Sequence, residues 1–466
     1  MRALACACAV GVVLLGAGCG QEAEKAQPNT TPPPPKPKLS LAAEAVEVTQ
    51  VQYQGWPALR MANGLVVLVV VPDVGGRIME YKLNGHPFLW TNPEEYGHTY
   101  PAPATESERA WHNFGGYKVW PAPQSEWKGP PDPVGSQLDG GKWTGEIVQP
   151  TGQVGEIKLV SPADPSVTGL QITRVVRLFA GSTRVEVRET FSNVSDHDLR
   201  WSVWDVTQVP GALRDGSTGD QESRIYFPLN PESRFPAGFV KLIDDPAGDS
   251  QWEIVKEHGL MRVSYRHQTG KIGADSLAGW IAHVDEIHNL AFIKRFEVDK
   301  LEEYPDQGST VEVYTSGGPP YMEVEVLSPL LSLRPGEERT VVRRWYATST
   351  PGPVREVGEV GATQGPLECR LDGGKLKVTG AFGVFTEGTA TLATADKDGK
   401  PVDEITKFPA SPAAPLTIDR QIVPPKDAVA LVLDLCNANG TPVGRLAQAD
   451  LPRPPEAQVA SSATGR

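Results

Sequence analysis

The sequence predicts an all-β protein: a large antiparallel sandwich or barrel, followed by a small immunoglobulin-like β-sandwich. Three observations predict it. Short runs with strand alternation recur between Gly, Asn and Asp turns, and no amphipathic helix of normal length interrupts them. The aromatic residues are segregated: all 11 Trp fall between Trp56 and Trp345, and all 11 Tyr between Tyr53 and Tyr346. At 466 residues the chain is also too long for one ordinary core.

The first segment is a targeting signal. "MRALACACAVGVVLLGAGCG" has Arg2, then an apolar run too short for a comfortable membrane span. Its end, "LLGAGC", resembles a bacterial lipoprotein box, with Leu15 one place early. Residues 1–19 then form the signal, and Cys19 becomes the lipidated first residue of the mature chain. Residues 20–43, with "TTPPPPKPKLS", read as a Pro-rich extended tether. "NTT" at Asn29 is a sugar acceptor only in eukaryotic secretion, which the lipoprotein signal argues against. The expected location is the bacterial cell envelope, with a lipid anchor facing the periplasm or exterior.

The large β unit is expected over residues 44–350. "GLVVLVVVPDVGGRIMEYKLNGHPFLW" alternates strand and turn, and Asn84-Gly85 is a hairpin signal, because both residues tolerate positive φ. "LQITRVVRLFAGSTRVEVRETFSNVSDHDLRWSVWDVTQV" and "STVEVYTSGGPPYMEVEVLSPLLSLRPGEERTVVRRWYAT" supply further long strands. The small sandwich is expected over 360–453, from "GKLKVTGAF", "GTATLATA" and "DAVALVLDL". Residues 454–466 read as a disordered tail.

Charge and cysteine bound the chemistry. The net charge is −13 with no basic block in the body, which excludes a nucleic-acid partner. Only Cys369 and Cys436 lie in the folded body. An oxidising compartment permits a disulfide between them, and two buried free thiols fit equally. No cysteine–histidine pattern suggests zinc, and no cofactor motif is present. "HVDEIH" at His283–His288 reads as a polar loop rather than a metal site, since His283 and Asp285 share a strand face and His288 does not.

Two stretches carry candidate site residues. In "YMEVEVLSP", Met322, Val324 and Val326 share one strand face and suit a core. Tyr321, Glu323 and Glu325 share the other, facing solvent or a polar cleft. In "WHNFGGYKVWPAPQ", Gly115-Gly116 marks a close approach of backbone or ligand. Lys118 and Trp120 point to one side, Tyr117 and Val119 to the other. Trp beside Lys, His112 and Asn113 is the mixture that grips sugars, through ring stacking and fixed hydroxyl partners. An aromatic core cluster with polar tips is the alternative. Arg77 either reaches the cleft or pairs with a carboxylate at the core edge. Asp205 and Gln208 lie on opposite faces of one strand, so only one of them faces a ligand.

These motifs, together with "GWIAHV" and "LRPGEE", resemble a bacterial family of unknown function related to the galactose-mutarotase-like superfamily, over roughly residues 46–347. The resemblance implies a β-supersandwich of two large curved sheets, with a carbohydrate site in a concave face. "GGYKVWP" is similar to a Gly-Gly to Trp-Pro strand that lines the site in the hexose-phosphate branch. Glu325, ahead of the "LRPGE" turn, matches the general base of the mutarotases, with Glu323 beside it. The stretches near Trp143 and Trp204 lack the family's two histidines, which leaves His112 as the acid that anomerisation requires. The expectation is therefore a carbohydrate-binding envelope lipoprotein. An aldose 1-epimerase-like enzyme using Glu325 and a non-catalytic structural module are the alternatives. Arg77, Asn113, Lys118, Trp120, Asp205 and Glu323 are the expected substrate contacts.

Overall fold

The computed structural model describes residues 44–100, 111–127, 137–211, 223–243, 246–350, 352–425 and 428–452. The expected signal with Cys19, the tether and the 454–466 tail lie outside the described residues. Among the described residues, the helical segments are short 3-10 turns such as Pro93–Glu95, and every named sheet pairing is antiparallel. No helix there is long and apolar enough to cross a membrane.

Two large sheets face each other. The first has 13 strands, ordered Val240–Ile243, Gly270–Ala274, Val311–Thr315, Tyr321–Leu327, Leu199–Pro210, Tyr117–Ala122, Arg77–Leu83, Val66–Val71, Trp56–Ala62, Val46–Tyr53 and Thr151–Gly152. Leu331–Leu333 and His86–Pro87 pair alongside this path. The second has 10 strands, running from Trp252–Val255 at one edge to Thr144–Gln149 at the other. The Asn84-Gly85 hairpin forms as the sequence predicts, with φ of 47° and 86°.

The apolar halves of the alternating strands meet between the sheets. Tyr117, Val119, Val203, Val209, Met322, Val324 and Val326 join Leu170, Ile172, Val187, Phe292 and Trp345 in one cluster. Strand Leu170–Phe179 of the second sheet alternates buried and half-buried residues, as a sheet with one dry face should. The central strands of the first sheet differ. Tyr117–Ala122 and Tyr321–Leu327 are buried at every residue, so both of their faces are covered.

A charged network also lies in the interior. Lys294 pairs with Asp205 and donates to Val324 O at 3.0 Å. Glu189 Oε1 accepts from Arg174 Nε at 2.6 Å and from Tyr117 Oη at 2.7 Å.

The C-terminal part is a two-sheet sandwich of five and four strands. Lys375–Val384 is central to one sheet, and Gly388–Ala395 and Ala430–Asn437 pair in the other. Its core is aliphatic with Phe382 and Phe408. The expected disulfide is corrected: Cys369 and Cys436 are free thiols. Strand Glu368–Asp372 carries Cys369 opposite Val378 in the five-stranded sheet, and Ala430–Asn437 carries Cys436 opposite Thr389 in the four-stranded one. The two sandwiches pack together. Phe385 stacks on Tyr346 at 4.1 Å, and Phe385 O accepts from Thr183 N at 2.9 Å and Ser182 Oγ at 2.8 Å.

Candidate functional site

The candidate site is the face of the 13-stranded sheet turned away from the inter-sheet core. Register places its side chains in rows across neighbouring strands. Trp120, Trp204 and Leu327 form one row. Lys118, Val206, Glu325 and Glu312 form the next. Gln208, Glu323, Tyr314 and Lys271 form a third. Period-two alternation is sufficient to explain why these side chains share a face.

The glycine pair fixes the start of this arrangement. Gly115 and Gly116 have φ of 84° and 71°. A Cβ at Gly115 would lie 2.5 Å from Thr91 Cα, and one at Gly116 would lie 2.5 Å from Ile78 O. The pair is therefore required by close packing of backbone on backbone, which launches strand Tyr117–Ala122 with Lys118 and Trp120 facing the site.

Ion pairs and indoles interleave on this face. Arg77 Nη2 contacts Asp139 Oδ1 at 2.6 Å, and the same oxygen accepts from Trp120 Nε1 at 2.8 Å. Of the two roles the sequence allowed, Arg77 takes the pairing with a carboxylate, and that carboxylate in turn holds a ring of the site. Lys118 Nζ lies 3.6 Å from the Trp120 ring centroid and 5.0 Å from that of Trp111. A desolvated cation over indole is stabilised by about 2 kcal/mol. Its carboxylate partner, Glu323, is 3.7 Å away, a loose pairing. Glu323 Oε1 accepts from Gln208 Nε2 at 2.8 Å.

Glu325 is held more firmly. Its Oε2 accepts from Trp204 Nε1 at 2.6 Å and from Lys271 Nζ at 3.0 Å. Lys271 also reaches Glu312 at 2.7 Å and lies 4.2 Å from the Trp204 centroid. Trp127 completes the aromatic edge, with its ring 5.3 Å from Trp120.

Burial dominates the electrostatics. It pushes the Lys118 ammonium down, against the pull of Glu323 and Asp139. It pushes Glu323 up, with Lys118 opposing, and Glu312 well up, with Lys271 opposing. Burial also lowers Lys271, but Glu312 and Glu325 outweigh it and hold that ammonium charged. Several polar atoms on this face are buried without a hydrogen-bond partner: Lys118 Nζ, Gln208 Oε1, Glu325 Oε1 and Trp111 Nε1. Such groups are costly unless something completes them.

Three sequence expectations are corrected. His112 does not meet Glu325. Its Nδ1 lies 3.3 Å from Glu95 Oε1 and its ring stacks on Tyr100 at 3.4 Å, because the residue precedes the glycine turn and projects with a different cluster. Asn113 caps that turn, its Oδ1 accepting from Gly115 N at 3.3 Å. Asp205 faces the interior and pairs with Lys294, and Gln208 is the residue of that strand which reaches the site.

Lys118, Trp120, Glu323 and Glu325 come together as the alternation predicts. Trp204, Lys271, Glu312, Asp139 and Trp111 were not foreseen, and Gln208 had entered only as the alternative to Asp205. For Trp204 and Gln208 the signal was present, since both are in register with Val206 opposite Asp205. Lys271 and Glu312 have partners distant in sequence, which no local pattern exposes.

A groove of about 690 Å³ lies elsewhere, lined by Arg200, Trp201, Arg234, Glu303 and Asp306 among others. Its charges are mostly exposed and in part already paired, as in Arg200 with Glu303, which are 52% and 69% exposed, with Asp306 half-buried. It lacks the buried, incomplete polar set of the sheet face.

Solved structures with similar chains include a galactose mutarotase-like protein of Clostridium acetobutylicum. It is 14% identical, with TM-score 0.44, covering 66% of this chain and 99% of that one. A galactose mutarotase related enzyme of Lactobacillus acidophilus is 12% identical, with TM-score 0.40, covering 66% and 100%. The Slr1438 protein of Synechocystis sp. PCC 6803 is 14% identical, with TM-score 0.41, covering 65% and 96%. No curated protein matches the sequence. Residues 57–348, which include every strand of the site, match the family model described as Domain of unknown function (DUF4380), and the chain belongs to that family.

Proposed function

We propose that the protein binds a neutral carbohydrate on this face of the large sheet. The observation that carries the reading is the combination of Trp120, Trp204, Trp111 and Trp127 with buried donors and acceptors that have no partner. A pyranose offers C–H patches to indole rings and hydroxyls that both donate and accept. Cations and carboxylates nearly balance here, which suits an uncharged ligand better than a sugar phosphate. Saturation-transfer NMR against a panel of aldoses and short glycans tests it. Signal transfer to a sugar, weakened in Trp120→Ala, supports the reading, and no transfer to any of them overturns it for that panel.

A second reading, an aldose 1-epimerase-like activity, is favoured by one geometric fact. Glu325 has one oxygen fixed by Trp204 and Lys271 and the other unpartnered, as a base accepting an anomeric proton requires. With His112 elsewhere, Glu323, which burial biases toward its protonated form, is the nearest candidate acid. Anomer-exchange NMR with wild type and Glu325→Gln decides this reading independently of binding. The proposed place of action is the bacterial envelope, anchored through Cys19. Its support is the leader sequence, and Cys19→Ser should release the protein from the membrane fraction.

A further inference from the structure

Beside the Asn84-Gly85 hairpin, three ligand atoms converge. His86 Nε2 lies 3.5 Å from Asp285 Oδ2, and His288 Nδ1 lies 2.7 Å from the same oxygen. The two imidazole rings are 5.1 Å apart between centroids. The nitrogen, nitrogen and oxygen atoms all lie within 4.8 Å of one another. Sequence distance hides this trio. Asp285 ends strand Trp280–Asp285, His288 sits in the turn that follows, and His86 comes from the hairpin some two hundred residues earlier.

The surroundings hold these groups in place. Asp285 Oδ1 accepts from the backbone N–H of Ile287 at 3.1 Å and of His288 at 3.0 Å. The carboxylate is thereby oriented with Oδ2 toward the two imidazoles. The His86 ring is braced edge-on by Phe88 at 5.2 Å. Carboxylate ligands whose second oxygen is hydrogen-bonded, and imidazoles with fixed rings, are the usual outer-shell features of metal sites.

We propose that His86, Asp285 and His288 bind a divalent first-row transition metal, with zinc as the reference ion. Two imidazole nitrogens and one carboxylate oxygen suit a borderline ion better than calcium or magnesium, which take oxygen sets. The His288 side chain is 53% exposed, so water has access to complete the coordination. His86 belongs to the 13-stranded sheet and Asp285 to the 10-stranded sheet. The ion would therefore clip one large sheet to the other.

The test uses the full chain without a histidine tag, stripped of metal by chelator. Zn2+ is titrated by calorimetry, and Tm is recorded with and without it. The expected result is one Zn2+ per chain and a rise in Tm. His288→Ala, at an exposed turn residue, should weaken binding by more than about tenfold and abolish the Tm rise. His86→Ala should do the same. Absence of one-to-one binding, or binding and a Tm rise that persist in the His86→Ala/His288→Ala variant, overturns the proposal.

Discussion

The two sandwiches bury different things. The large one buries Arg77, Lys118, Arg174, Glu189, Asp205, Lys294, Glu312, Glu325 and Arg343. Among the described residues, the buried polar ones of the small sandwich are Thr363, Thr394 and Ser411, and its core is aliphatic with phenylalanine. A buried charge costs several kcal/mol before its partners offset it. A module that needed only to fold would not accumulate so many. The small sandwich has the composition of a part whose task is met by packing. The large one keeps ionic groups on both faces of a single sheet, and both faces leave buried polar atoms unpartnered near indoles: Lys118 Nζ and Glu325 Oε1 on the face away from the core, and Arg174 Nη2, Asp205 Oδ2 and Trp345 Nε1 in the core itself.

The sharpest way to break this comparison is to unpair the interior. Lys294→Met strands Asp205 in the core and should cost about 3–5 kcal/mol, read by urea denaturation. A near-neutral result would mean that the interior charges are not paired as described.

The next effect is an acid sensitivity that originates in the large sandwich. His283 is buried, and burial lowers its pKa from 6.5 to about 4. The unfolded chain binds this proton more readily than the folded one, so stability falls as pH drops from 6.5 toward 4. The loss should reach about 3 kcal/mol at the acid end. His283→Gln should flatten that part of the pH–stability curve. An unchanged curve would assign the acid loss to the carboxylates that pairing stabilises, such as Asp285.

Smaller again is the ligand effect. Trp120→Ala should weaken sugar affinity about tenfold, close to 1.4 kcal/mol, in titration calorimetry. An unchanged affinity would remove the indole from the ligand's surroundings. Smallest is the small sandwich's thiol. Cys436→Ser should move stability by no more than about 0.5 kcal/mol, and a reductant should leave Tm unchanged. A large drop with reductant would restore the disulfide.

These contrasts explain which parts were legible in sequence. "YMEVEVL" could be read because its apolar residues alternate cleanly with Tyr and Glu, so both faces declared themselves. "LRWSVWDVTQVP" could not, because nearly every residue is buried and either face might have been the core. Asp205 was placed on the wrong face for that reason. Lys118 and Trp120 were readable within one short motif. Lys271 and Glu312 were not, since their roles exist only once distant strands pair. His112 lay inside the right motif but on the far side of a turn whose positive φ values redirect the chain.

The contact between Phe385 and Tyr346 bears on how the molecule comes apart. One apolar cluster holds Tyr226, Trp280, Ile293 and Tyr346 of the large sandwich together with Ala362 and Phe385 of the small one. Neither half can open without wetting the other's surface. Calorimetry should therefore trace a single cooperative endotherm, not two. A chain cut after residue 350 should be sticky and short-lived in a cell, because its exposed aromatic patch is what chaperones and proteases seek. For this protein the C-terminal module would then act as a built-in quality seal.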